Sequence, residues 1–154
     1  MSKKTLRISK IENGTVIDHI TSGHALDVVK ILGIAERRTG VVSIAMNVPS
    51  KRLGKKDVVK VEGRGLAAAE VDKIALLAPN ATINIVKDFK LVEKKRVKLP
   101  TTIKGIMKCD NPACVSNSNE PVQSQFTVEE AEPLRLKCHY CGHVMEKTDV
   151  LKQF

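Results

Sequence analysis

At 154 residues with 42% hydrophobic content, the chain has enough apolar side chains to bury a core and to exclude a wholly disordered polymer. It contains no run of about 18 uncharged apolar residues, which excludes a helical membrane span. The formal charge of +9 suggests a polyanionic ligand. Met1-Ser2-Lys3-Lys4 leads into alternating Leu6 and Ile8 rather than an apolar leader core, so a soluble, cytoplasmic protein is expected.

Charge and cysteine are unevenly distributed. Residues 1–100 hold 20 Lys+Arg against 10 Asp+Glu, whereas residues 101–154 hold 6 against 7 and all four cysteines. The change near Leu99-Pro100 predicts two domains, 1–100 and 101–154.

Leu6 and Ile8, then Val16, Asp18 and Ile20, alternate as in two strands with Asn13-Gly14 as a turn between them. Ser22 is placed to cap a helix carrying Ala25, Val28, Val29 and Leu32, with Gly33 as its stop. Val41 to Val48 reads as a buried strand ended by Pro49, and a loop containing Gly54 leads to a strand over Asp57 to Glu62. Leu66 to Ala78 is helical in composition and meets Pro79. Ala81 to Val86 and Phe89 to Val92 are further strands, and the run Glu93-Lys94-Lys95-Arg96-Val97-Lys98 reads by default as a solvated linker. A leading strand followed by β-α-β-β-α-β predicts an α+β, ferredoxin-like first domain.

Ile103 to Lys108, Val122 to Val128, Leu134 to Lys137 and Val144 to Lys147 read as short strands, predicting a small antiparallel, zinc-ribbon-like second domain. So short a segment with few large apolar residues is marginal without an added constraint. The cysteines supply one. Cys109 and Cys114 form a C-x4-C pair, and after 23 intervening residues Cys138 and Cys141 form a C-x2-C pair followed by Gly142. Two short-spaced pairs flanking a strand-rich insert suit a tetrahedral four-thiolate zinc site. Disulfides are the competing use, disfavoured without a secretion signal. Four cysteines close the coordination shell and leave no position for a reacting water, so the expected Zn2+, one per chain, is structural. His139 and His143 lie close enough in sequence to substitute for a ligand, but read more simply as exposed turn residues.

Several segments together carry a family resemblance: Gly14-Thr15-Val16-Ile17-Asp18-His19-Ile20, Asn47-Val48-Pro49-Ser50, Gly54-Lys55-Lys56-Asp57-Val58-Val59-Lys60-Val61-Glu62, Ala78-Pro79-Asn80-Ala81-Thr82-Ile83-Asn84, and the cysteine pattern. In this order the chain resembles the regulatory chain of aspartate carbamoyltransferase. The resemblance implies a non-catalytic subunit acting in pyrimidine biosynthesis. Its N-terminal allosteric domain would bind nucleoside triphosphates (CTP, ATP, UTP) and pair with its twin, and its zinc domain would hold the catalytic chain. It implies an assembly of two catalytic trimers and three regulatory dimers. Carried over by position, Asp18 and His19 would meet ribose and phosphates, Lys60 base and sugar, and Lys94 a phosphate, with Lys56 and Asn84 also in the nucleotide site. Backbone groups near Ile11, Val86, Phe89 and Leu91 would read the base. Phe89 stands where a tyrosine would offer a hydroxyl, which leaves the preference among CTP, UTP and ATP open.

The residues themselves fit such a ligand, since lysines and a histidine neutralise a triphosphate and a carboxylate accepts from ribose hydroxyls. A lysine on a strand is nevertheless usually a solvated edge residue, and Asp18 and His19, as strand neighbours, are expected to point to opposite faces. A nucleic-acid-binding zinc ribbon is the main rival. It calls for clustered Lys and Arg on the ribbon and aromatics for stacking, but the ribbon is slightly acidic and aromatics make up 3% of the chain. An enzyme is the third class, and neither a nucleophile–base spacing, a Walker loop nor an open metal site is present in the sequence. Neither nucleic acid nor membrane is an expected partner. The contact with the catalytic chain is expected around residues 111–118 and 140–144, beside the metal knuckles, and the dimer contact on apolar residues of the first sheet and helix.

Overall fold

A computed structural model describes residues 11–33 and 40–154, which fall into two compact units that divide between Val97 and Lys98. The expected strand over Leu6 and Ile8 lies outside the described residues.

In the first unit the elements follow as β1 (Gly14–Thr21), α1 (Ala25–Ile31), β2 (Val42–Ser50), β3 (Gly54–Glu62), α2 (Ala68–Leu77), β4 (Thr82–Lys87) and β5 (Lys90–Arg96). The sheet order is β2-β3-β1-β4-β5, with every neighbouring pair antiparallel. This is the split βαβ arrangement with β5 added as a hairpin strand beyond β4. Alternation along the strands decides the two faces. Ile17, Val59, Val61 and Ile83 are buried, as are Val28, Ile74 and Leu77 of the helices, whereas Val16, Asp18, Lys60 and Asn84 between them are only half-buried. Among the described residues one face is therefore covered and the other open.

Four local expectations are corrected. β2 is an edge strand with none of its residues buried rather than a buried strand, and it runs through Pro49, whose register partner is Lys55, because at an edge a missing N–H leaves no ladder bond unmade. The basic run beyond Val92 is strand as far as Arg96, because Glu93 to Arg96 pair with Ile85 to Thr82. Ser22 does not cap α1: its hydroxyl donates to Asn47 Oδ1 at 2.6 Å, and the α1 N-terminus is satisfied by the buried Asp57 carboxylate, which accepts from the Ala25 N–H at 3.1 Å. Finally, β1 contains a bulge. Ile17 pairs with Val59 and Ile20 with Asp57, so Asp18 and His19 together oppose one residue of β3.

The second unit comprises β6 (Thr102–Lys104), a 3-10 turn (Val115–Asn117), β7 (Gln125–Glu130), β8 (Arg135–Cys138), β9 (Val144–Glu146) and α3 (Lys147–Leu151). Its strands form an antiparallel sheet in sequence order. Ile103, Phe126, Leu136 and Met145 are buried on it, and Val150 of α3 is buried too. Strand limits differ from expectation by a few residues. The short α3 is a new element, since one turn gives no helical period to read.

Candidate functional site: a thiolate centre and a cationic sheet face

The first cysteine knuckle is a turn held by its own amides. Asn111 O accepts from the Cys114 N–H at 3.0 Å, and the Asn117 side-chain amide donates to Cys109 O at 2.7 Å and Asn111 O at 2.8 Å. The second is a tight turn at the end of β8. The Gly142 N–H donates to Cys138 O at 3.0 Å, and Gly142 has φ +74°, a conformation that suits a residue without Cβ. Phe126 pairs with Cys138, and the His139 N–H donates to Gln125 O at 2.9 Å, so β7 fixes this turn.

The result is four sulfur atoms all within 4.8 Å of one another. Cys109 and Cys141 Sγ are 3.6 Å apart, as are Cys114 and Cys138 Sγ. Thiolates at about 2.3 Å from a tetrahedrally bound zinc stand about 3.8 Å apart, so the donor set fits such an ion. Cys109, Cys114 and Cys138 are buried and Cys141 is exposed. Burial pushes the Cys109 and Cys138 thiols up, while the His143 backbone N–H brings Cys141 down to about 6. The cluster can hold a metal ion at a closed, donor-only shell. His143 instead faces Asp110, and His139 packs edge-on against Tyr140.

On the open face of the first sheet, the register builds a row across four strands: Lys60 of β3 opposite Val16 of β1, Val16 opposite Asn84 of β4, and Asn84 opposite Lys94 of β5. Directly opposed residues share a face. A second row holds Asp18, Thr82 and Arg96. Lys56 Nζ lies 2.9 Å from Asp18 Oδ1. The Asn84 side-chain oxygen is buried without a hydrogen-bond partner among the described residues.

Asp18 and His19 do not point apart. His19 occupies the left-handed region at φ +55° in the β1 bulge, so the extra residue turns its ring back. Nδ1 lies 3.2 Å from Thr82 Oγ1 and 3.9 Å from Asp18 Oδ1. The two strand neighbours thereby join one cluster, against the simple alternation rule.

Charge within the cluster is mutually adjusted. Burial works to raise the Asp18 carboxyl, but the Lys56 hydrogen bond, the His19 backbone N–H and the charges of Lys56 and His19 outweigh it and hold it below its ordinary value. The His19 imidazole is lowered by burial, offset in part by Asp18 and reinforced by Lys56, Arg52 and Lys94. Burial also lowers the Lys60 amine, against the pull of Asp18. Arg52 and Arg96 are members that the sequence reading missed. Arg96 follows Lys94 by the strand period of two, a usable signal once β5 is extended; Arg52 sits in the turn after β2, and no pattern marks it.

The remaining candidates lie at the other end of the same strands. Val86 faces Gly14 and Leu91, and the Phe89 N–H donates to Glu12 O at 3.0 Å, beside the buried Ile11. Phe89 itself is 58% exposed, next to a depression of about 420 Å³ lined also by Glu12, Asn13, Gly40, Glu62 and Gly63. From Asp18 back to Gly14 is four residues of β1, about 13 Å at about 3.3 Å per residue. The candidates thus fall at two ends of the same strands, a cationic end and an end where Phe89, Val86 and Leu91 stand beside a depression lined by Glu12 and Glu62.

A ferredoxin-like domain with a cationic sheet face, followed by a small module whose four cysteines cluster as a metal-binding set, defines a two-unit protein of the metal-binding class. Comparison with known sequences is specific. Residues 6–98 match the profile of the aspartate carbamoyltransferase regulatory chain, allosteric domain, and residues 101–151 that of its metal binding domain. Aspartate carbamoyltransferase regulatory chains of Korarchaeum cryptofilum, Thermococcus kodakarensis and Methanothermobacter thermautotrophicus are similar over nearly their whole length. The first is 52% identical over 152 residues, 98% of this chain and 97% of that one. The second is 54% identical over 147 residues, 96% of each, and the third 50% over 149, covering 97% and 95%. The chain belongs to the aspartate carbamoyltransferase regulatory chain family, a non-catalytic subunit with an allosteric and a metal-binding domain. Among the described residues no helix is long and apolar enough to cross a membrane.

Proposed function

We propose that the open face of the first sheet is the effector site of this chain, that its ligand is a nucleoside triphosphate (CTP, ATP or UTP), and that occupancy controls an aspartate carbamoyltransferase catalytic chain in cytoplasmic pyrimidine biosynthesis. The observation that carries the reading is the buried, unpartnered Asn84 side-chain oxygen, set in a row between Lys60 and Lys94. A buried acceptor without a donor is costly by about 1–3 kcal/mol, and a ribose hydroxyl or a base amine is a fitting donor. Lys94, Lys56, His19 and Arg96 take the phosphates, Asp18 and Lys60 the ribose, and the strip from Ile11 to Phe89, Val86 and Leu91 the base.

In this reading Cys109, Cys114, Cys138 and Cys141 hold one structural Zn2+, which supplies a cross-link between the two knuckles and no reaction. The knuckle surface carries half-exposed Val115 and Tyr140 and is the docking face for the catalytic chain. The β2 edge, with exposed Val41, Ile44 and Met46, and Leu26 of α1 offer an apolar face for a second regulatory chain. Dimers of this kind bridge two catalytic trimers in threes.

Allosteric coupling of about 1–3 kcal/mol is within reach of a few altered contacts, and linkage makes it reciprocal. The test is calorimetric titration of the full chain with CTP, ATP and UTP, alone and in complex with its co-purified catalytic partner, with and without a substrate analogue. Binding that tightens or loosens with the analogue is expected. Absence of binding for all three nucleotides would overturn the reading.

A further inference from the structure

The β1 bulge that brings His19 beside Asp18 is one of two bulges meeting at the same point of β3. In β2, Ala45 pairs with Val58 and Val48 with Lys56, so Met46 and Asn47 together oppose Asp57, and Asn47 is left-handed at φ +60°. In β1, Asp18 and His19 oppose Val58, and Ile20 pairs with Asp57. Each bulge is a strained irregularity that a one-residue slip would erase. Something must hold the chain against that slip.

Asp57 is placed to do so. It is fully buried and alternates with Val59 and Val61, so its side chain turns to the covered face of the sheet. Its Oδ1 accepts the Asn47 N–H at 2.9 Å, inside the β2 bulge. Its Oδ2 accepts the N–H groups of Gly23 at 2.9 Å and Ala25 at 3.1 Å, in the segment that leaves β1. Ser22, just past the end of β1, ties the same segment to β2 again, its hydroxyl donating to Asn47 Oδ1 at 2.6 Å. On the opposite face, the preceding residue Lys56 holds Asp18 at 2.9 Å. Consecutive residues of β3 thus hold the paired bulges from the two faces of the sheet, Asp57 at the β2 bulge and at the segment leaving β1, Lys56 at Asp18 of the β1 bulge.

We infer that Asp57 is a positioning residue of the effector site: its buried carboxylate locks the paired bulges that set His19 beside Asp18, and through Gly23 and Ala25 it ties the occupied state of the open face to the start of α1. The inference rests on the reading of that face as a nucleoside triphosphate site. Asp57 touches neither the open face nor the ligand. If β1 slips back by one residue, His19 returns to ordinary strand alternation and its ring leaves Thr82 and the cationic cluster. Replacing the carboxylate by an amide removes one of two acceptor oxygens and places a donor against backbone donors.

The experiment uses the full metal-loaded chain and CTP as probe. Asp57→Asn is expected to weaken CTP binding at least tenfold. In the folded variant, nuclear magnetic resonance should show loss of the His19–Thr82 contact and a His19 titration moved up toward that of an ordinary imidazole, with signals of residues 101–154 unchanged. A merely structural role would lower stability while leaving the His19–Thr82 contact and titration intact in the folded molecules, and that result overturns the inference. Wild-type chain gives an answer that does not depend on the variant folding. CTP should slow amide hydrogen exchange at Gly23 and Asn47, which contact Asp57 and not the ligand, by at least fivefold; unchanged exchange with CTP bound overturns the inference. Failure of CTP to bind wild-type chain overturns the underlying effector-site reading, and equal affinity of wild type and Asp57→Asn overturns this inference alone.

Discussion

Replacing Lys56 with Met keeps most of the aliphatic stem and deletes the charge that faces Asp18. Nζ lies 2.9 Å from Asp18 Oδ1, with the two side chains 18% and 23% exposed. A hydrogen bond to a charged group is worth about 1.5–3 kcal/mol when buried, and residual solvent screening brings the expected loss of folding stability here to about 1 kcal/mol. Binding should suffer more. The substitution removes one cation from the triphosphate and leaves the Asp18 charge uncompensated beside it, a loss of about 1.5–3 kcal/mol or roughly 10- to 150-fold in Kd. Asp18→Asn combined with Lys56→Met removes that repulsion, so the double variant should bind better than Lys56→Met alone. Calorimetric titration of wild type, both single variants and the double variant with CTP at pH 7 closes the cycle. An affinity within twofold of wild type for Lys56→Met, or additivity within about 0.3 kcal/mol, would refute the reasoning. Acid should report the same pair. The folded Asp18 pKa lies below the ordinary carboxyl value of 3.8, so its contribution is fully present above that value and is lost as pH falls through the lower, folded one. In Lys56→Met the hydrogen bond and charge that offset burial are gone, and urea unfolding should show this acid-side contribution reduced.

Lys94→Ala should weaken CTP binding about tenfold while leaving metal content and the dispersion of signals from residues 101–154 unchanged; calorimetry and metal analysis check both. Because burial and neighbouring cations depress His19, the free imidazole is neutral at pH 7 and a bound triphosphate should raise its pKa. CTP binding is then expected to take up protons and to tighten as pH falls from 8 to 6, measured by calorimetry in buffers of different ionisation enthalpy, with His19→Gln flattening the profile. Metal removal by a strong chelator should unfold residues 101–154 and spare the first sheet, visible as selective collapse of Phe126 and Met145 signals. An apo-protein that keeps those signals dispersed would show that the small core stands alone.

The metal centre was legible because thiolate spacing is local. Two turns of fixed length each present two sulfurs, and burial of Cys109, Cys114 and Cys138 adds only detail to what C-x4-C and C-x2-C require. The order of strands and helices in the first unit was legible for the same reason, since a period of two is written in Val16, Asp18 and Ile20 and a helical spacing in Ala25, Val28, Val29 and Leu32. Boundaries were less so. Glu93 to Arg96 carries strand pairing under a composition that reads as linker, because a ladder bond to β4 depends on the neighbour and not on the residue.

The proposed effector strip divides along the same line. The order of residues specifies which chemical groups are present, a set of lysines, a histidine, an aspartate and an asparagine, and the resemblance implied a shared site for them. It could not bring Asp18 and His19 together, since strand alternation separates neighbours and nothing in Asp18-His19 announces a bulge. Nor could it find Arg52 or see that Asn84 ends with an unmet acceptor among the described residues, and Arg96 becomes readable from Lys94 only once β5 is known to extend that far. Those features arise from register, which pairs residues far apart in the chain, and from a buried Asp57 whose partners lie on two other segments. Local periodicity encodes elements; the long-range hydrogen bonds that set one strand against the next encode the site.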